Sequence, residues 1–127
     1  MSRLKVEFDN GLVTVIELRG EGTPTVEALK KAVPFTANAN RWGDEIYFET
    51  PVSTGLEDDA RALMELGDVA YWPDGSALAM FFGRTPVSTD ERPRAYSPCN
   101  IVGSIVGDPT ALKSVSSGVK AKVSLER

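Results

Sequence analysis

The chain has 127 residues, eighteen acidic and fourteen basic side chains, a net charge of -4 and no histidine. An acidic balance repels a phosphate backbone, and the nearest thing to a basic cluster, Arg84, Arg92 and Arg94, is interrupted by Asp90 and Glu91, so nucleic acid is not an expected partner. The missing histidine removes Ser-His-Asp, Cys-His and His-ligated zinc chemistry, the lone Cys99 rules out an internal disulfide, and no apolar run nears the roughly 20 residues that span a bilayer.

This length fits one domain over residues 1–127 with a single core. The N-terminus passes through Arg3 and Lys5 straight into an alternating strand, without an apolar leader, which gives a cytoplasmic expectation. Leu4, Val6 and Phe8 alternate with charged residues, Asp9-Asn10-Gly11 supplies a turn, and Leu12 to Leu18 resumes an apolar run, so an opening β-hairpin is predicted. Thr23 caps a predicted helix that begins at Pro24, carries Val26, Leu29, Ala32 and Val33 on one stripe, and ends before Pro34. Phe35 to Gly43 reads as an ordered loop. Asp44 to Thr50 reads as a strand with Ile46 and Phe48 on one face and Tyr47 and Glu49 on the other.

Leu56 to Leu66 carries Ala60, Leu63 and Met64 at helical spacing, so a short helix is expected there, with Glu57, Asp58 and Asp59 as favourable charge at its N-terminus. Those three carboxylates lack the spacing of a metal site, and no metal or cofactor is expected. Gly67 to Gly83 reads as two strands around a turn, apolar on both faces, and each face needs a cover. Arg84 to Pro98 has three prolines and no period and reads as a long surface loop, followed by a strand from Asn100 to Val106. The glycines at 103 and 107 mark a bulge or bend. Asp108 and Pro109 open a short helix through Leu112 and Val115, and Val119 to Leu125 closes as a strand. About seven strands and few helices predict a mainly β fold, a closed or nearly closed antiparallel β-barrel capped by two or three short helices.

The runs Ala39 to Phe48, Gly67 to Pro73, Phe81 to Ser88 and Asn100 to Gly103 carry a resemblance to the cyclophilin-like domain family of small archaeal and bacterial proteins, spanning nearly the whole chain. The resemblance implies a barrel of cyclophilin-like type with Met80 and Phe82 in a groove and Phe81 facing the interior. It also raises prolyl isomerisation, which rotates a bond whose barrier is about 18–20 kcal/mol and needs a cationic donor on the proline nitrogen. The strand that would carry the arginine, Glu45 to Val52, has no Lys or Arg, and the position of the pocket histidine of many cyclophilins falls near Cys99. Efficient isomerase activity is therefore not expected.

The expected ligand-binding residues are Arg41, Tyr47, Glu49, Trp72, Met80, Phe82 and Cys99, holding a small molecule or an extended peptide in an apolar groove. Of Tyr71 and Trp72, one belongs to the core and one to the site, since neighbours on a strand face opposite ways. Glu49 is a candidate partner for Arg41. Two alternatives stand beside this reading: a weak prolyl isomerase drawing its charge from Arg41 or Arg84, and a structural or regulatory subunit, including a homo-oligomer, that uses the apolar face as an interface.

Overall fold

A computed structural model describes residues 2–126. Alternation of apolar and polar residues gives β1 (Arg3–Phe8) and β2 (Val13–Leu18), paired antiparallel as the expected hairpin. The helix α1 (Pro24–Ala32) begins where Thr23 Oγ1 accepts from the backbone N–H of Val26, and it buries Val26 and Leu29. The remaining strands are β3 (Phe35–Asn38), β4 (Asn40–Arg41), β5 (Glu45–Glu49), β6 (Arg61–Leu63), β7 (Asp68–Trp72), β8 (Ala77–Phe81), β9 (Arg94–Val106) and β10 (Lys120–Leu125). Short 3-10 turns occupy Pro73–Gly75 and Pro109–Ser114, the second where a short helix is expected.

The strands hydrogen-bond in the order β3-β10-β1-β2-β9-β7-β8-β5-β4, with β6 attached to β9 beside this path. The expectation of a closed barrel is overturned: the sheet is open, and among the described residues no ladder joins β3 to β4 or β5. The reason lies in residues 35–41, which change partner at Ala39, pairing with β10 before it and with β5 after it. Beyond β4 the edge of β5 has no strand against it, and Pro51 has no N–H to extend a ladder. Phe35 and Phe48 meet across this gap edge to face, ring centroids 6.4 Å apart, so side chains fill where hydrogen bonds do not.

Three other expectations change. Residues 56–66 form turns and β6, not a helix: Arg61 and Leu63 pair with Cys99 and Arg94 of β9, and this edge pairing outweighs a short, weak helical period. The acidic run serves other elements, since a Glu57 carboxylate oxygen accepts from the backbone N–H of Thr25 at the start of α1, 3.0 Å away, and Asp59 pairs with Arg19 at 2.8 Å. The expected loop ends at Pro93, with β9 beginning at Arg94, and residues 35–38 and 40–41 are strand where a loop is expected.

The main core draws Leu4, Val6, Ile16, Leu18, Ile46, Phe48, Tyr71, Leu78, Met80, Phe82, Val102 and Val123 to one face of the sheet. A second cluster lies on the other face of β7 and β8, with Ala70, Ala79 and Phe81 covered by Met64, Ala95 and Cys99. The first half of β9, paired with β6, supplies that cover, while its second half stays in the main sheet between β2 and β7. The two-faced apolar hairpin is thus an interior strand pair with a core on each side.

Candidate functional site

The second face is incompletely covered, and the gap is a cavity of about 280 Å³. Its floor follows from strand alternation. Glu45 and Tyr47 share a face of β5, and Tyr47 lies directly opposite Ala79, with Ala77 two residues along β8. Two alanines in a row on that face leave room that larger side chains would fill. Trp42 closes one side, Trp72 another, and Ala95, Tyr96 and Cys99 of β9 complete the lining.

The rings are held in place. Trp42 sits in a tight turn in which its N–H and that of Glu45 donate to each other's carbonyl oxygens, at 2.9 and 3.2 Å. Gly43 permits that turn, with φ of 60° and Pro86 Cδ only 2.9 Å from where a Cβ would sit. Trp72 donates its indole N–H to Ser97 Oγ at 2.7 Å, and its six-membered ring lies against Gly75, where a Cβ would come within 2.6 Å of Cε3 and Cζ3. Tyr96 stands edge to face with both tryptophans, centroids 6.4 Å from Trp42 and 6.2 Å from Trp72. All three rings line the cavity.

Glu45 is 7% exposed, and its Oε1 is buried without a hydrogen-bond partner. Burial pushes its carboxyl up from 4.5 to about 8, so the acid is protonated at neutral pH. Cys99 is buried nearby and donates to the Ser97 carbonyl at 3.3 Å. Burial first, and the Glu45 charge second, push its thiol up to about 12, which leaves no thiolate for nucleophilic attack.

Of the residues expected at the site, the structure brings together Tyr47, Trp72 and Cys99. Tyr71 is the core member of its pair, fully buried and donating to the Val52 carbonyl at 2.7 Å. Met80 and Phe82 lie in the main core on the opposite face of the sheet, and Phe81 takes the outward position. This reverses the orientation that the resemblance implied, because residues paired across antiparallel strands share a face: Met80 opposes the inward Ile46, and Phe81 opposes the outward Glu45.

Arg41 is engaged elsewhere. Its guanidinium donates to the carbonyls of Gly43, Lys113 and Val115 and to Asp44 Oδ1, and its Cζ sits 5.1 Å from the Phe82 ring centroid. It pairs with Asp44 and not with Glu49, which lines a separate cavity of about 520 Å³ between β3 and Pro51. Trp42, Glu45 and Tyr96 were not among the expected ligand residues. Glu45 was legible two residues before Tyr47 on one strand face, but Trp42 and Tyr96 reach the cavity only through the path of the chain around it.

Residues 2–124 match the model of a family described as cyclophilin-like. The chain is also similar to a hypothetical protein from Archaeoglobus fulgidus known in solution, at 42% identity and a TM-score of 0.82, over 97% of this chain and 93% of that one. No curated protein matches the sequence.

Proposed function

The chain belongs to the cyclophilin-like family, and from that footing we propose that it is a small-molecule-binding domain without efficient prolyl isomerase activity. One observation carries the reading: a cavity walled by Trp42, Tyr47, Trp72 and Tyr96 has a carboxyl oxygen buried without a partner and, among the described residues, no lysine or arginine in its lining. Rings held at fixed angles offer contact area at little entropic cost, which suits recognition. Isomerisation needs a donor that strengthens as the proline nitrogen loses conjugation, and each tenfold acceleration demands about 1.4 kcal/mol of such preference. A protonated carboxyl is a weaker donor than a guanidinium.

Both tryptophans of the chain line the cavity, so intrinsic fluorescence reports its occupancy. A titratable change in that emission by a small ligand, together with no acceleration of a prolyl tetrapeptide in a coupled assay, is the expected pair of results. Rapid turnover of the tetrapeptide, lost in Glu45→Gln, would overturn the reading.

A further inference from the structure

Resting on that reading of the cavity, we infer that its ligand is a methylated ammonium group, received in an aromatic cage with Glu45 as counter-charge. Trp42, Tyr47, Trp72 and Tyr96 line one space, with Tyr96 edge to face with each tryptophan, and aromatic faces turned to an occupant attract cations and tolerate their weak hydration. A bare ammonium would leave donors unpaired among these walls, whereas methyl groups replace those donors with apolar surface. The lining then lacks one thing, a negative charge, and a carboxyl oxygen without any hydrogen-bond partner is buried there. Trp72 is fixed at both edges, by Ser97 and by Gly75, so that wall stands before the ligand arrives.

The other ionisable groups facing Glu45 are Tyr47 on its own strand and Tyr96 and Cys99 on β9, with Asp74 near enough to act on Cys99. None is a cation, so no side chain of the lining already supplies the charge that a ligand would bring. A cation must therefore drive the proton off Glu45 as it binds, and affinity rises with pH until Glu45 is ionised before binding, at about 8. This separates the cage from the opposite design, a neutral acid that donates to a carbonyl ligand, which weakens as pH rises.

The test compares choline with 3,3-dimethylbutan-1-ol, which has the same shape with carbon in place of the charged nitrogen, by tryptophan fluorescence and calorimetry at pH 6 and 9. Choline should bind at least about tenfold more tightly than the alcohol at pH 9, and weaken on the order of 100-fold at pH 6 by the proton linkage while the alcohol does not. Glu45→Gln, of the same shape, should remove the pH dependence and reduce the preference for choline while retaining the alcohol. Tyr96→Leu, at an exposed residue whose replacement spares the core, should weaken choline more than the alcohol. A trimethyllysine tripeptide distinguishes a free ligand from one carried on a side chain. Equal binding of choline and the alcohol, or binding of the alcohol alone, would overturn the cage and leave the small-molecule reading intact. Binding of neither, with no fluorescence change from a broader neutral library, would remove both.

Discussion

A carboxyl buried without a partner strains the folded state whenever it ionises. Glu45 titrates at about 8 in the folded chain against 4.5 when exposed, so its proton is held more tightly in the native state. The stability this gives is fully present below pH 4.5 and is lost as pH rises towards 8, at up to about 1.4 kcal/mol per pH unit. Urea denaturation of the ligand-free protein should show that descent, and Glu45→Gln should flatten it. A slope unchanged in the variant would mean that the carboxyl already finds water or another partner. Asn100 shows the contrasting solution to burial: fully enclosed, it accepts from the Glu57 N–H and donates to Thr25 Oγ1 and the Gly55 carbonyl, tying a segment without regular structure to β9 and α1. Its polarity is satisfied and calls for no ligand; that of Glu45 does.

Elements were legible where local pattern and long-range pairing agree. The first hairpin, α1 and the β7–β8 pair follow from alternation and capping, and the structure places them as read. Residues 56–66 were misread because their pairing partner, the first half of β9, lies more than thirty residues away and contains Pro98, in a stretch whose prolines suggest a loop. The parity of Met80, Phe81 and Phe82 failed for another reason: a strand apolar on both faces contains no polar residue to mark the outside, so only its register with Glu45 and Ile46 decides it. Gly103, expected at a bulge, does sit beside the register shift between β7 and β9. It also lies opposite Leu18, where a Cβ would fall 2.1 Å from the Glu17 carbonyl oxygen. Gly103→Ala should force β2 and β9 apart and lower stability by about 1–3 kcal/mol, measured by thermal or urea unfolding; a neutral effect would show that the strands are not so tightly apposed.

At the scale of the whole molecule, counting strands predicts a barrel, but only the last row of hydrogen bonds decides whether one exists. Among the described residues that row is absent, and nothing in the alternation of residues 35–41 signals that one segment serves both ends of the sheet. Native-state hydrogen exchange should therefore be slow across β7 and β8, which have neighbours on both sides, and fast at those amides of β3 that point away from β10. Equal protection along both edges of β3 would indicate a closed ring. Ala39, fully buried, joins the two end rows, with its N–H on the Val119 carbonyl and its own carbonyl accepting from Gly118. Neighbouring Cα atoms are about 3.8 Å apart, so Asn38 and Asn40 stay tethered there however far Phe35 and Glu49 separate. Any play between the two end rows is therefore smallest at this alanine and largest at the far rim, where the Phe35 and Phe48 rings bridge them.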